Sequence, residues 1–389
     1  MSSEFDRIIN RYNTDCLKYD FAEKRGKPKD ILPLWVADMD FCTPDCVIEA
    51  LENRSRHGIF GYSDVGHEYI EVLHNWFMRY FQWHVEPAWL VKTPGVVFAI
   101  CAAIRALTNQ GDAILIQQPV YYPFSESILS NNRKLIVNQL IYSQGKYTIN
   151  WQDFEEKIIK DNVKLFVLCS PHNPVGRVWT EAELKRMGDI CLKHGVMVIS
   201  DEVHADFVYP GNKHIVFANI KPEFQDMSII CTAPTKTFNL AGLQVSNIFI
   251  PNPELRQLVE REIAKCGYSQ LGIMGLTAAK IAYENGHQWL ADLKIYLADN
   301  LTFVRHFILE KLPKIKLIEP EGTYLLWLDF REFGISDHEI DRLLVYEANL
   351  WFDAGTMFGL GGEGFQRINI ACPRGILAHA LVNIENVFK

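Results

Sequence analysis

Four polar residues stand where apolar segments end. Tyr121 follows Ala113-Ile114-Leu115-Ile116 and Pro119, and Asn173 sits in Ser170-Pro171-His172-Asn173-Pro174 behind Leu165 to Cys169. Asp201 follows Val196-Met197-Val198-Ile199 and Ser200. Lys236 lies in Thr232-Ala233-Pro234-Thr235-Lys236-Thr237-Phe238-Asn239, just past Met227 to Cys231. Strands in a parallel sheet all point their C-terminal ends one way, so the four can meet at the edge where α/β folds bind ligands. A desolvated lysine loses its proton near neutral pH and attacks a carbonyl.

A carboxylate such as Asp201 keeps a pyridine nitrogen protonated, so that the ring acts as an electron sink. An amide such as Asn173 bonds a ring oxygen, and an aromatic such as Tyr121 stacks on the ring face. The helix opened by Gly95-Val96-Val97 offers backbone N–H groups to a phosphate. The set fits the chemistry of pyridoxal 5′-phosphate. Each member also has a plainer reading. Asp201 can cap a helix, Asn173 can make a turn, and Tyr121 and Tyr122 can be core aromatics. Arg367 can pair with any of 47 acidic residues. His204 reads equally as a packed core histidine or as support for the site. The conjunction at successive strand ends, in order, carries the argument.

The elements that must position these residues follow from periodicity. Apolar strands are expected at 90–93, 113–116, 135–140, 165–169, 196–199, 227–231 and 245–250. Helices are expected at 96–107, 151–160 and 180–194, the last with Thr180 and Glu183 forming a capping box. Thr43 should cap a helix whose first residue is Pro44. Apolar strands alternating with helices imply a largely parallel sheet covered on both faces. Beyond 253 the alternation is lost. Long helices, a strand pair at 315–318 and 323–328, a helix at 337–348 and a strand at 366–370 imply a separate α+β unit. The expected division is an N-terminal arm and part of the small domain at 1–50, a large domain at 51–285 and a C-terminal small domain at 286–389.

The 389 residues include 39 Lys plus Arg and 47 Asp plus Glu, a formal charge of −8 with no basic block. That excludes nucleic acid as a partner. No apolar run nears the roughly 18 residues of a membrane span. The start of the chain has no signal-peptide core. Nine cysteines are scattered without a CxxC pair. Reduced thiols, no metal site and a cytoplasmic protein are therefore expected.

Several stretches resemble fold-type I pyridoxal-phosphate enzymes, the aspartate aminotransferase fold, and within it the MalY/PatB group of cystathionine β-lyases. They are Leu32-Pro33-Leu34-Trp35-Val36-Ala37-Asp38-Met39-Asp40-Phe41, Gly61-Tyr62-Ser63, Ser170 to Gly176, Ser200-Asp201-Glu202-Val203-His204, Ala233 to Gln244 and Arg367 to Arg374. The Trp-Val-Ala-Asp-Met-Asp-Phe run points to the lyase group. The resemblance implies a large domain with a mainly parallel seven-stranded sheet between helices, plus a smaller α+β domain. It implies an imine on Lys236, Asp201 at the pyridine nitrogen, Asn173 at the ring oxygen and Tyr121 on the ring. Val96, Val97 and Thr235 would hold the phosphate. Tyr62 would reach the phosphate of a second subunit, which makes a homodimer with shared sites. Arg367, helped by the Ala37 backbone, would clamp the substrate carboxylate in preference to Arg374.

Two positions depart from the wider aminotransferase pattern. Gln244 stands where many relatives carry a phosphate-binding arginine, and His204 where many carry tyrosine. The MalY/PatB group shares both. The implied activity is α,β-elimination from L-cystathionine or an L-cysteine conjugate, giving pyruvate, ammonia and a thiol. An aminotransferase acting on an amino acid and a 2-oxo acid is the alternative. A non-catalytic protein-binding role is a third reading, opposed by the intact Lys236, Asp201, Asn173 and Arg367.

Overall fold

A computed structural model describes residues 4–389. Its central sheet has seven strands: β1 (Leu90–Thr93), β2 (Ala113–Gln118), β3 (Lys134–Gln139), β4 (Leu165–Cys169), β5 (Met197–Asp201), β6 (Ser228–Thr232) and β7 (Ser246–Phe249). Their spatial order is β1-β7-β6-β5-β4-β2-β3. The five strands from β6 to β3 are mutually parallel, and β7 runs antiparallel to both β6 and β1. The apolar runs are continuous because the sheet is buried on both faces. Successive residues divide between two cores: Phe166 and Leu168 pack on one face, Leu165, Val167 and Cys169 on the other.

The flanking helices form where the sequence places their caps. The helix Glu181–Lys193 has the full capping box, with Thr180 and Glu183 each bonding the other's backbone N–H. Four further strands, β8 (Lys316–Ile318), β9 (Leu325–Asp329), β10 (Asp353–Ala354) and β11 (Phe365–Asn369), make an antiparallel sheet in the order β8-β9-β11-β10. Its register sets Arg367 between Trp327 and Asp353.

The structure departs from the sequence expectations in a few places. The helix after Thr43 is Asp45–His57, because Pro44 is extended (ψ 139°) and is itself the cap. The Thr43 hydroxyl is buried with no hydrogen-bond partner among the described residues. The expected 337–348 helix is α-helical over Asp337–Arg342 and widens into a π turn at Leu343–Glu347. The helix Pro123–Ser130 and the hairpin of Ile141–Ser143 with Lys146–Thr148 had no counterpart in the sequence reading.

One irregular segment, residues 34–41, joins the two sheets. It follows Leu32–Pro33, which pairs in parallel with Leu350–Trp351. Two asparagines hold it. The Asn369 amide donates to the Val36 and Asp38 carbonyls at 2.7 and 2.6 Å. The Asn239 amide donates to the Met39 and Phe41 carbonyls at 3.0 and 2.9 Å, and its oxygen accepts from the Met39 N–H at 3.0 Å. Asn239 has φ 57°, in the left-handed region that asparagine tolerates better than most residues. Asn239→Ala removes three hydrogen bonds and leaves alanine in that region. It should cost about 3 kcal/mol of stability. Urea denaturation reads this directly, and an unchanged midpoint and slope would refute the anchoring role.

Candidate active site

The four strand ends do converge. β2, β4, β5 and β6 are parallel, and Tyr121, Asn173, Asp201 and Lys236 follow or close them on one edge. Cys169, Asp201 and Cys231 are register neighbours across β4, β5 and β6. The Tyr121 N–H donates to the Asn173 carbonyl at 3.1 Å, which ties two of the ends together.

Lys236 lies on a single helical turn, Pro234–Thr237, directly after β6. Its Nζ donates to the Ala37 carbonyl at 2.9 Å. Burial pulls its pKa down to about 8; Arg367 acts the same way, while Asp38 and Asp201 oppose the fall. The amine therefore has a substantial neutral fraction near pH 7 to 8. The Ala37 carbonyl accepts a second hydrogen bond, from the Tyr324 hydroxyl at 3.0 Å. The neighbouring Asp38 is paired with Arg11 at 2.5 Å, and Asp40 is paired with Lys18 at 2.8 Å and Arg11 at 2.6 Å. Those cations hold the Asp38 carboxyl below its usual range against the effect of burial.

Asp201 is buried, and burial pushes its pKa up to about 7. Its carboxylate accepts one backbone N–H, from Val203 at 3.3 Å, and makes no ion pair among the described residues. Glu202 raises its proton affinity and Lys236 lowers it. His204 is buried nearby. Burial, with the charges of Lys236 and Arg367, lowers its pKa to about 3, so its ring is neutral. Burial likewise raises the Tyr121 hydroxyl, and the charges of Asp201, Arg367 and Asp353 all act on it.

Arg367 is supplied by β11 of the other sheet. It donates to the Asn173 side-chain oxygen at 3.0 Å, to the Trp35 carbonyl at 2.8 Å, and to Asp353. The Phe358 ring lies 4.9 Å from its guanidinium carbon. Arg374 faces elsewhere: it bonds Asn300 at 2.7 Å and stacks on Phe303, on the side of the helix His287–Lys311. Val96 and Val97 open the helix Val96–Leu107, where the first backbone N–H groups have no helical acceptor. Thr235 immediately precedes Lys236. Tyr62 is 97% exposed, outside the cluster formed by the other residues. It borders a cavity of about 790 Å³ that Gln244 and Tyr268 also line.

The residues fit pyridoxal 5′-phosphate. A buried carboxylate short of partners needs a cation, which a protonated pyridine nitrogen supplies. The His204 Nδ1 and Arg367 Nε atoms are buried without hydrogen-bond partners among the described residues, and both lie within the electrostatic reach of Lys236. Polar oxygens of a bound cofactor or substrate would satisfy them. Sequence reasoning missed Tyr324, Asp38 and Asp40 with their cations, and Asn369. Asp38, Asp40 and Asn369 did lie in quoted motifs, but only their long-range contacts reveal what they do.

In the unfolded chain Lys236 has the ordinary pKa of 10.5, against about 8 in the fold. Between those values the unfolded chain binds more protons, so stability should rise with pH across that window and carry the full penalty below it. Trace acetylation of the cofactor-free protein, read by mass spectrometry, should show Lys236 titrating near pH 8. A midpoint above 10 would contradict the desolvated site.

The chain is similar to known proteins over nearly its whole length. The model of the family described as aminotransferase class I and II matches residues 29–384. Cystathionine beta-lyase PatB of Bacillus subtilis is 39% identical, covering 98% of each chain. The crystal structure of cystalysin from Treponema denticola, which contains a pyridoxal 5′-phosphate cofactor, superposes with a TM-score of 0.96 at 36% identity, covering 100% of this chain and 99% of that one. A PLP-bound putative aminotransferase from Clostridium difficile superposes with a TM-score of 0.97 at 44% identity, covering 99% of both. The chain belongs to the class I and II aminotransferase family.

Proposed function

We propose that this protein is a pyridoxal-phosphate-dependent carbon–sulfur β-lyase of the cystathionine β-lyase type. The observation that carries this reading is the partly buried Lys236 amine, with its lowered pKa, facing an under-partnered Asp201. The likeness to PatB, a cystathionine beta-lyase, narrows the reaction to the lyase group.

Lys236 would hold the cofactor aldehyde, Asp201 the pyridine nitrogen and Asn173 the ring oxygen, with Tyr121 against the ring and His204 beside it. Val96, Val97 and Thr235 are the phosphate donors on the same chain. When bound, the cofactor supplies an electron sink for negative charge at the substrate α-carbon. Arg367 grips the substrate carboxylate through its planar fork, with Asp353 and Asn173 fixing the plane. Lys236 would take the α-proton as general base. The bond from the β-carbon to sulfur then breaks, and the thiolate leaves with the bonding pair and is protonated. The three-carbon remainder takes up water and yields pyruvate and ammonia. With L-cystathionine the thiol is homocysteine; with L-cysteine it is hydrogen sulfide.

The test supplies L-cystathionine with no 2-oxo acid and assays pyruvate and free thiol. Equal amounts of both are expected. The rival reading is an aminotransferase, favoured by the name of the Clostridium difficile neighbour. It predicts turnover only once 2-oxoglutarate is added, giving glutamate and the 2-oxo acid of cystathionine with neither pyruvate nor thiol, and that outcome would displace the lyase.

The active form is a homodimer in this reading. Ile59, Phe60 and Tyr62 form an exposed apolar loop that a second copy would cover, bringing Tyr62 to the other subunit's phosphate. Mixing inactive Tyr62→Ala and Lys236→Ala proteins should restore activity, because one hybrid site carries both native residues. No recovery after subunit exchange is verified would rule out shared sites. No described helix is long and apolar enough to cross a membrane. The nine unpaired cysteines fit a reducing, cytoplasmic setting.

A further inference from the structure

Behind the catalytic edge lies a second set of ionisable groups with no part in the reaction above. The set reaches the segments of both reactive residues. Glu202 follows Asp201, and Thr237 follows Lys236. Glu202 is buried and extends the β5 ladder by one bond, its N–H donating to the Cys231 carbonyl at 2.9 Å. Its carboxylate accepts from the Ser200 hydroxyl at 2.8 Å and the Phe217 N–H at 3.0 Å, and pairs with His214 Nε2 at 2.8 Å. Both side chains of that pair are 1% exposed. Thr237 donates to Asp206 at 2.6 Å, and the Trp76 indole donates to the other Asp206 oxygen at 3.2 Å. His214 and Lys294 both act on Asp206 electrostatically.

Two carboxylates on adjacent residues in a low-dielectric interior oppose each other's ionisation. Glu202 therefore works against a charged Asp201 unless donors hold its own carboxylate. His214 supplies the bond to the Glu202 oxygen that neither the Ser200 hydroxyl nor the Phe217 N–H reaches. A buried carboxylate left without its partner is costly, and its field would fall on the next charge along the chain.

We propose that His214–Glu202 and Asp206–Thr237 form a positioning cluster that fixes the Asp201 and Lys236 segments from behind and leaves Asp201 as the available negative charge at that edge. This rests on the reading that Asp201 holds the pyridine nitrogen.

The experiment titrates cofactor-free protein with pyridoxal 5′-phosphate, following tryptophan fluorescence. His214→Phe should weaken binding about tenfold, the equivalent of one pKa unit of altered charge balance. Adding Glu202→Gln to His214→Phe removes the unmatched charge and should recover most of that loss, a coupling a double-mutant cycle isolates. His214→Gln, which keeps an N–H donor, should stay within about threefold of the wild type, under the 1.4 kcal/mol of a tenfold change. If His214→Phe does not fold, Thr237→Val serves in its place. It deletes one hydroxyl from the cluster and should also weaken binding. Undiminished affinity in the folded His214→Phe or in Thr237→Val overturns the proposal, as does a double variant no better than His214→Phe. Asp201→Ala separates this from a failure of the underlying reading: affinity equal to wild type there would remove Asp201 from the cofactor site and this inference with it.

Discussion

The site depends on keeping one lysine amine away from water without leaving it unpartnered. An ammonium in low dielectric sheds its proton, and a loose amine is not held in reach of a substrate carbon. The structure meets both demands with a single backbone acceptor. Lys236 rests on the Ala37 carbonyl, which the Tyr324 hydroxyl also bonds. A carboxylate in that place would have raised the lysine pKa and kept it charged. Asp38, whose charge does reach the lysine, is instead paired with Arg11.

Ala37 lies on the 34–41 segment, so the geometry of the amine is set jointly by both sheets. Asn239 ties the segment to the loop of Lys236, and Asn369 ties it to the strand that carries Arg367. The distance between the lysine and the arginine is thus fixed through a short, bonded path. The same arginine bonds Asn173 from the large sheet and Asp353 from its own. In the proposed mechanism substrate binding and proton transfer then share one frame, which suits a reaction that needs the α-proton held toward a base.

Much of this was legible in the sequence. The parallel strands were visible as unbroken apolar runs, because burial on both faces leaves no alternation to hide them. The capping box at Thr180 and Glu183 was legible because it is a local device. The convergence of Tyr121, Asn173, Asp201 and Lys236 followed from the shared direction of their strands. The reversed direction of β7 was not legible, since a buried strand reads the same either way. The Pro44 start failed by one residue because a proline can stand outside the first turn as easily as inside it. Tyr324, Asp353 and His214 escaped notice because each acts through contacts more than ten residues distant in the chain. No local pattern separates them from ordinary core residues.

The account's central claim is that Lys236 moves the substrate α-proton. The most direct measurement follows that proton by NMR in deuterated water, using the Lys236→Ala protein loaded with cofactor and L-cystathionine. The account predicts that the α-proton signal persists and that no thiol is released, while the wild-type protein consumes substrate under the same conditions. Exchange of the α-proton in the variant at the wild-type rate would contradict it and assign the base to another group.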